Sequence, residues 1–230
     1  MNKTILISGV SRGIGRQLLI EFLNEGHYVV GLVRNEESKS SLNIELIEIG
    51  FDSFEIIVCD VTDDEGLYFL GQNLPNIISE VDVLVNNAAI GVGEGLLKDV
   101  DFNSVKSFFD VNFFGAWRLY QTVDSFLKTG SRIINVSSNL GLSKGLLDGG
   151  LPAYRMSKWA LNGFTIQLSA ELRSRGVDVI SVCPGWTQTD MGGKDALNSI
   201  EESVSNLKDL CSRPVIKTGA FYENGKVVEW

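Results

Sequence analysis

The chain is poor in the two residue types that most often build metal centres and nucleophile–base pairs. Among its 230 residues there is 1 histidine, His27, and there are 3 cysteines, Cys59, Cys183 and Cys211. One imidazole cannot supply a centre with several histidine ligands, and it makes a Ser-His-Asp triad hard to build. The cysteines are odd in number and lack CxxC spacing, so we predict small buried thiols and no metal site. His27 stands where a helix should give way to a strand, and we interpret it as a surface loop residue.

Long apolar runs and an excess of basic side chains are also missing. No apolar run approaches the roughly 18 residues of a membrane span. The stretch Ile5-Leu6-Ile7 near the N-terminus is too short for the core of a signal peptide. The formal net charge is −9, and a surface of that sign repels nucleic acid and anionic membranes. We therefore expect a cytoplasmic protein that binds neither nucleic acid nor membranes.

Short apolar runs rich in β-branched residues, in contrast, recur along the chain. They predict strands that are buried on both faces of a sheet: Thr4–Ser8, Tyr28–Val33, Phe54–Cys59, Val81–Val85, Arg132–Val136 and Val177–Cys183. Segments of helical period lie between them, including Asn103–Leu127 and Tyr154–Arg173. This alternation predicts a single α/β domain over residues 1–230, with a Rossmann-type doubly wound parallel sheet and helices on both faces. The loosest stretches, about 139–153 and 190–213, are candidate substrate loops.

A glycine-rich turn follows the first predicted strand. Its sequence, Ser8-Gly9-Val10-Ser11-Arg12-Gly13-Ile14-Gly15, leads directly into a helix. Glycines allow a tight turn and a close approach to a pyrophosphate, and the helix N-terminus offers free N–H groups and its dipole to the anion. A glycine triplet alone is also compatible with a plain strand-to-helix turn. Its place after the first strand favours dinucleotide binding.

The end of the second predicted strand indicates which dinucleotide binds. An NAD site usually has a carboxylate there, which bonds the ribose 2′-hydroxyl. Here the strand ends in Val33 and is followed by Arg34, while Arg12 lies within the glycine turn. Two guanidinium groups suit a 2′-phosphate because their planar forks bind phosphate in bidentate fashion. We therefore predict NADP(H); the alternative is two solvated arginines.

Tyr154 and Lys158 are four residues apart at the start of a predicted helix and so share one face. Ser138 ends a buried strand, where the ligand crevice of this fold class lies. Tyrosine, with an ordinary pKa near 10, is a poor acid at neutral pH. We expect the Lys158 ammonium and a positive nicotinamide ring to lower the pKa of Tyr154. Tyr154 could then protonate a carbonyl oxygen to which Ser138 hydrogen-bonds.

The chain resembles the short-chain dehydrogenase/reductase family along nearly its whole length. The segments that carry the resemblance are SGVSRGIG (8–15), CDVTD (59–63), NNAA (86–89), VNFFG (111–115), INVSS (134–138), YRMSK (154–158) and PGWTQTDM (184–191). YRMSK, PGWTQTDMGG and the terminal GKVVEW are similar to C-factor-type carbonyl reductases. Two departures are NNAA in place of the usual NNAG, and a longer spacing between Ser138 and Tyr154 than the family commonly has.

The resemblance implies a set of catalytic residues and a cofactor site. The catalytic residues are Asn112, Ser138, Tyr154 and Lys158, with a water on the Asn112 backbone that links Lys158 to solvent. The residues that bind NADP(H) are Gly9, Ser11, Arg12, Gly13, Ile14, Gly15, Arg34, Asp60, Val61, Asn87, Ala88, Tyr154, Lys158, Pro184, Gly185, Thr187 and Thr189. Asp60 would meet the adenine, and Asn87 the adenosine ribose. The backbone of Thr187 and the side chain of Thr189 would meet the carboxamide.

The expected function is NADPH-dependent reduction of a carbonyl to an alcohol, or the reverse. Two alternatives are an epimerase or isomerase on the same scaffold, and a signalling protein that binds NADP(H) with little turnover. The substrate loops contain apolar residues that favour an aromatic or aliphatic carbonyl but also suit ordinary packing: Leu142, Leu146, Leu147, Leu151, Trp186 and Met191. The resemblance also implies a homodimer or homotetramer, since the family commonly pairs subunits through the two long helices. Those helices carry Phe113, Trp117, Trp159 and Phe164, which look exposed; the alternative is that these residues simply pack on the sheet.

The segment 192–213 is predicted to be a mobile lid. Gly192-Gly193 suits a hinge, and Ile200, Val204, Leu207 and Leu210 recur with helical spacing. Such a helix could dock over a ligand and exclude water from the reacting atoms. The alternative is a permanently docked surface helix.

Overall fold

The computed structural model describes residues 2–91 and 95–230. The strands are β1 Thr4–Ser8, β2 Tyr28–Val33, β3 Phe54–Val58, β4 Val81–Asn86, β5 Leu127–Val136, β6 Asp178–Cys183, β7 Phe221–Glu223 and β8 Lys226–Val228. They form one sheet in the order β3-β2-β1-β4-β5-β6-β7-β8. All neighbouring pairs are parallel except β7 and β8. The chain winds outward in both directions from β1, so ligands are expected at the carboxyl ends of β1 and β4.

Helices cover both faces of the sheet. They are α1 Gly13–Asn24, α2 Glu36–Ile49, α3 Asp64–Asn73, α4 Phe102–Phe109, α5 Gly115–Val123, α6 Ser143–Leu146, α7 Pro152–Leu172 and α8 Ile200–Ser212. On one face, Ile5 and Ile7 pack with α1, α2 and α8; on the other, Leu6 packs with α3, α5 and α7. Alternate residues of β1 thus enter different cores, which explains why its apolar run is continuous. The predicted doubly wound α/β fold is confirmed. No helix among residues 2–91 and 95–230 is long and apolar enough to cross a membrane.

The single helix predicted over Asn103–Leu127 is wrong in two respects. A π turn at Asp110–Phe114 separates α4 from α5, and a 3₁₀ turn at Asp124–Phe126 ends the helical run. Leu127 then opens β5, which begins well before the predicted start at Arg132. The polar residues 128–131 concealed this part of the strand, since the sequence analysis looked for continuous apolar runs.

The two C-terminal strands were not predicted. Each has only 3 residues, too few for a periodic signal. They are joined by Asn224 and Gly225, with φ values of 50° and 72°. An Asn-Gly pair at positive φ is the usual signature of a tight hairpin, and this was the signal available in the sequence.

His27 and the cysteines have packing roles. His27 lies between α1 and β2 as predicted, but its side chain is only 12% exposed. Its Nδ1 accepts a hydrogen bond from the Lys3 backbone N–H at 3.2 Å, so it is not a surface loop residue. The cysteines are all free and buried, as predicted.

Candidate active site

The turn between β1 and α1 is as tight as its glycines allow. Gly9 and Gly13 have φ values of 73° and 57°, a region that side chains disfavour. A methyl group on Gly9 would lie 2.9 Å from Ala88 Cα, and one on Gly15 would collide with the Gly9 carbonyl oxygen. The turn is therefore packed against itself and against the residues that follow β4.

Side-chain hydrogen bonds of Asn87 and Ser8 link this turn to the segment that follows β4. The Asn87 side-chain amide donates to the carbonyl oxygens of Ser8 at 2.9 Å and Gly9 at 3.0 Å. The Ser8 hydroxyl accepts from the backbone N–H groups of Asn87 at 3.0 Å and Ala88 at 3.1 Å. Asn87 thus shapes the cofactor turn with the side chain that the resemblance assigns to the ribose. Ser8 was missed, although its place at the end of β1 was a signal.

The N-terminus of α1, like those of α5, α6 and α7, has no side-chain cap. Side chains cap α2, α3, α4 and α8, namely Asn35, Asp63, Asp101 and Ser199. Arg12 occupies the cap position of α1, and its side chain makes no capping hydrogen bond. Unpaired N–H groups in the first turn of a helix favour an anion. The backbone of Gly13, Ile14 and Gly15 therefore fits a dinucleotide pyrophosphate.

The two predicted phosphate-binding arginines both lie at the carboxyl ends of strands, Arg12 after β1 and Arg34 after β2. Gly9 and Val10 donate their N–H groups to the Leu32 carbonyl oxygen at 2.9 and 3.2 Å, which places the end of β2 beside the turn. Arg34 is exposed and forms no ion pair with a residue in 2–91 or 95–230. Arg12 is also exposed, but its guanidinium forms an ion pair with Asp190.

Asp60 and Val61 follow the carboxyl end of β3, on the same side of the sheet as the two arginines. The Cys59 N–H donates to the Val33 carbonyl oxygen at 2.8 Å. The Asp60 carboxylate accepts from the N–H and hydroxyl of Thr62 at 2.9 and 2.8 Å, and it is partly exposed. Val61 is buried, and Gly115 packs closely on its side chain. Both residues are therefore held beside the end of β2, on the side where the resemblance places the adenine.

Ser138, Tyr154 and Lys158 come together at the carboxyl end of β5. Ser138 follows β5 and accepts from the Leu140 N–H at 3.2 Å. Tyr154 lies in the first turn of α7 and is hydrogen-bonded to Ser138. Lys158 is one turn further along, with its Nζ 5.9 Å from the centre of the Tyr154 ring. The arrangement predicted from the sequence is thus present at one end of the crevice.

The electrostatics of this group differ from the prediction. Lys158 is 2% exposed, and its Nζ donates to the Val136 carbonyl oxygen at 2.9 Å. Burial lowers the pKa of Lys158 to about 8. Burial of the Tyr154 hydroxyl raises its pKa to about 12, and the hydrogen bond with Ser138 opposes that rise. Lys158 therefore does not lower the pKa of Tyr154 here, because desolvation dominates for both groups.

Asn112 lies in the π turn between α4 and α5 and is buried. Its side chain accepts from the Ile90 N–H at 2.8 Å and donates to the Ile90 carbonyl oxygen at 3.0 Å. It also donates to the Ser157 hydroxyl at 3.0 Å. The side chain thus ties the segment after β4 to α7. A π turn disturbs the regular helical hydrogen bonding, so it suits a backbone that must bind another group.

Met191 and Gly91 form a wall beside Tyr154. A methyl group on Gly91 would lie 2.9 Å from Met191 Sδ and 3.2 Å from Tyr154 Cε2. Leu147 and Trp186 on the neighbouring loops are exposed. Leu142, which the sequence assigns to the substrate loop, is 1% exposed and packs with Cys183 and Phe221. It supports the loop from below, so it is excluded from the substrate-facing set.

The first part of the substrate loop is tied to α7. A methyl group on Gly141 would lie 2.7 Å from the Lys158 carbonyl carbon. Asn162 donates to the Gly141 carbonyl oxygen at 3.0 Å and accepts from the Ser137 hydroxyl at 2.7 Å. The buried Arg155 donates to the Gly145 carbonyl oxygen. Asn162 and Arg155 were missed; the signal for Asn162 was its position one turn after Lys158.

The loop after β6 is closed at its base. Pro184 and Gly185 lead into Thr187, whose hydroxyl is 2.7 Å from the Ser203 hydroxyl. The Asn198 N–H also donates to the carbonyl oxygen of Trp186 at 2.9 Å. These bonds fasten the start of the loop to the segment that leads into α8.

Beyond this base, the loop reaches the glycine turn. A methyl group on Gly13 would lie 3.4 Å from Thr189 Cγ2. Thr189 therefore stands between the start of α1 and Met191, which packs beside Tyr154. The loop after β6 thus spans the crevice from the glycine turn to the side of Tyr154.

The helical part of 192–213 is docked in this structure, which favours the alternative over the predicted lid. In α8, Val204, Leu207, Leu210 and Cys211 are buried in the same core as Ile5. The Arg132 guanidinium also donates to the Leu210 carbonyl oxygen at 2.7 Å. Exposing those side chains would cost about 1.5–3 kcal/mol for each large one. The alternative of a permanently docked helix fits the structure, and the hinge Gly192-Gly193 can serve only the short loop 189–197.

A sequence model described as short chain dehydrogenase matches residues 3–199. This chain belongs to that family. Its match to the C-signal protein of Myxococcus xanthus is 39% identical over 154 residues, which is 65% of this chain and 93% of that protein.

Two solved structures resemble the whole chain. The carbonyl reductase Sniffer of Drosophila melanogaster has a TM-score of 0.92 and 27% identity, and 100% of each chain is covered. The NADPH-bound carbonyl reductase from chicken fatty liver has a TM-score of 0.89 and 25% identity, with 100% of this chain and 99% of that chain covered. Membership of an oxidoreductase family and a nicotinamide cofactor are thereby supported.

Proposed function

We propose that the protein is an NADPH-dependent carbonyl reductase with Tyr154 as its general acid–base. One observation carries this proposal. Tyr154, hydrogen-bonded to Ser138 and one turn before Lys158, lies in the same crevice as an uncapped helix N-terminus flanked by Arg12 and Arg34. A proton donor and a dinucleotide site in one crevice suit hydride transfer to a carbonyl.

Each part of the crevice has a role in this proposal. The bound cofactor supplies the hydride. The glycine turn, with Gly9, Ser11, Gly13, Ile14 and Gly15, holds its pyrophosphate. The adenosine and nicotinamide sides are held by residues from the ends of neighbouring strands: Arg12, Arg34, Asp60, Val61, Asn87, Ala88, Pro184, Gly185, Thr187 and Thr189. NADPH is favoured over NADH by the two arginines and by the NADPH in the chicken enzyme.

The protein moves the proton. As the carbonyl carbon gains hydride, its oxygen takes the Tyr154 proton, and a hydrogen bond from Ser138 stabilises the developing charge. Burial raises the pKa of Tyr154 to about 12, so at neutral pH the side chain carries the proton that carbonyl reduction requires. Lys158 holds the nicotinamide ribose, and a water on the Asn112 backbone returns a proton from solvent.

The test is NADPH consumption, followed by absorbance, across a panel of aromatic, alicyclic and long-chain aldehydes and ketones. Tyr154→Phe is the matched control because it keeps the ring and removes one hydroxyl. We expect it to lower kcat by roughly a hundred- to ten-thousandfold and to leave the Kd for NADPH unchanged. If the variant keeps more than a tenth of the wild-type activity, another residue is the acid.

A second candidate is a signalling protein that binds NADP(H) with little turnover. The similarity to the C-signal protein of Myxococcus xanthus favours it. Tight NADPH binding with no turnover across the carbonyl panel would support this function and exclude the reductase.

We also propose a homodimer or homotetramer that acts on a small molecule in the cytoplasm. Trp117 and Trp159 are 42% and 54% exposed, as an interface requires. Phe164, which the sequence places with them, is buried and stacks on Trp117, and Phe113 is partly buried. A monomer mass by light scattering at micromolar concentration would contradict the assembly.

A further inference from the structure

Arg12 and Arg34 have different surroundings, although the sequence predicts the same role for both. Arg34 is exposed at the end of β2 and has no ion-pair partner among residues 2–91 and 95–230. The guanidinium of Arg12 is bound by the carboxylate of Asp190, and these side chains are 73% and 71% exposed. The pair joins the glycine turn to the loop after β6.

The residues on both sides of Asp190 make contacts that hold the backbone at this point of the loop. Thr189 faces Gly13, and its carbonyl oxygen accepts from the Gly193 N–H at 2.8 Å. Met191 packs against Gly91 beside Tyr154. A movement that took Asp190 away from Arg12 would disturb contacts at both ends of the crevice. In this conformation of the loop, the carboxylate lies beside the guanidinium that an incoming phosphate would need.

A phosphate and a carboxylate compete for a single guanidinium fork. Arg binds either in bidentate fashion, and donors used by one are withdrawn from the other. A second negative charge within a few ångströms also raises the free energy of a bound phosphate. Arg34, in contrast, forms no ion pair with a carboxylate of residues 2–91 or 95–230.

We propose that Asp190 is a specificity-determining residue that competes with the cofactor 2′-phosphate for Arg12. Arg34 then carries most of the preference for NADPH over NADH, and Asp190 limits that preference. The inference rests on the proposed function, because it assumes that the crevice binds a phosphorylated dinucleotide.

A double-mutant cycle on the full chain tests the competition. Arg12→Gln, Asp190→Asn and their combination are compared with the wild type by the Kd for NADPH and for NADH, measured by calorimetry. We expect Asp190→Asn to tighten NADPH by roughly three- to fivefold, the range of an exposed ion pair, with a smaller effect on NADH. Arg12→Gln should weaken NADPH by less than about threefold in the wild-type background and by roughly tenfold in the Asp190→Asn background.

Two matched variants separate the pair from general charge effects. Asp195→Asn removes an exposed carboxylate from the same loop, and it should leave the Kd for NADPH unchanged. Arg34→Gln should weaken NADPH by the same factor in the wild-type and Asp190→Asn backgrounds. Thermal unfolding of every variant should match the wild type, since all these side chains are exposed.

The outcomes are distinct. Equal effects of Arg12→Gln in the two backgrounds, or tightening of NADPH by Asp195→Asn as strong as by Asp190→Asn, overturn the competition while NADPH binding stands. If Asp190→Asn binds both dinucleotides more weakly, Asp190 contributes to cofactor binding, and this result also overturns the competition. If the wild type binds neither dinucleotide, the proposed function fails and the inference with it.

Discussion

The two ends of the crevice are built differently. At the catalytic end, Ser138, Lys158 and Asn112 are each less than 10% exposed and are hydrogen-bonded within the chain. At the phosphate end, Arg12 and Arg34 are exposed, and the first turn of α1 is uncapped. The proposed catalytic groups are thus oriented by the fold, whereas the proposed anion-binding groups are left accessible to a ligand.

Because of this difference, we expect the two ends to control different quantities, the reaction rate at one end and the affinity for the cofactor at the other. Oriented polar groups in a water-poor site stabilise a transition state without having to reorganise, and their loss lowers the rate by orders of magnitude. Exposed arginines are screened and hydrated, so each contributes a smaller free energy to binding. Changes at the catalytic end should mainly alter kcat, and changes at the phosphate end should mainly alter the Kd for the cofactor.

Lys158 is expected to break this separation of kcat from cofactor affinity most strongly, because it is proposed both to assist the proton transfer and to hold the nicotinamide ribose. Lys158→Met keeps the length of the side chain and removes its charge. We expect kcat/KM to fall by roughly a hundredfold or more and the Kd for NADPH to rise, because the ribose loses its partner. Tyr154→Phe provides the contrast, since it should change only kcat. A Lys158→Met protein with wild-type cofactor affinity would confine Lys158 to the proton transfer.

At the phosphate end, substitutions should be able to switch the cofactor preference from NADPH toward NADH. Val33→Asp with Arg34→Ala places a carboxylate at the end of β2 and removes the accessible guanidinium. We expect the preference for NADPH over NADH to shift toward NADH by roughly ten- to hundredfold in the ratio of Kd values, while kcat with the bound cofactor changes little. Arg173→Ala removes an exposed arginine far from the crevice and serves as the control. An unchanged ratio would show that Arg34 does not contact the phosphate.

The buried ammonium at the catalytic end should also lower stability. Burial lowers the pKa of Lys158 from 10.5 to about 8, so the folded state disfavours the charged form. Below the folded pKa the lysine is charged in both states and this cost is complete. Between the two pKa values only the unfolded chain stays charged, and the cost is relieved as the pH rises.

Lys158→Met should therefore raise the free energy of unfolding at neutral pH. We expect about 1–2 kcal/mol, after subtracting the hydrogen bond to Val136 that the variant loses. For a chain of this size that corresponds to roughly 2–8 °C in Tm. The difference between the two proteins should shrink as the pH approaches 10.5. A variant that is less stable than the wild type at neutral pH would contradict the cost of the buried charge.

The sequence predicted most of the sheet and the order of the site residues, because both depend on local patterns. β1 and β2 have the predicted bounds, since their apolar runs are continuous. The glycine turn, Ser138, Tyr154 and Lys158 were identified because strand ends and helix starts fix where such residues lie. Those positions follow from chain order alone in a doubly wound sheet.

Features that depend on contacts between distant segments could not be predicted in this way. The pairing of Arg12 with Asp190 joins residues 178 positions apart. Desolvation of Tyr154 and Lys158 depends on how α7 packs on β5, so the sequence did not predict that burial raises the pKa of Tyr154. For α8 the amphipathic pattern was correct, but a pattern does not say whether the apolar face meets a ligand or the core.

The smallest effect is expected for ligand binding on the hydrogen exchange of α8. Its apolar face lies in the core beside α1, and Lys208 forms ion pairs with Glu21 at 2.9 Å and Glu25 at 2.8 Å. Opening this helix requires the exposure of several buried side chains, so its amides should exchange slowly without ligand. We expect hydrogen exchange in 200–212 to stay unchanged on addition of NADPH and a substrate analogue, and any new protection to fall in 189–197. Strong ligand-dependent protection within 200–212 would restore the mobile lid, because only a helix that opens in solution can gain protection when a ligand closes it.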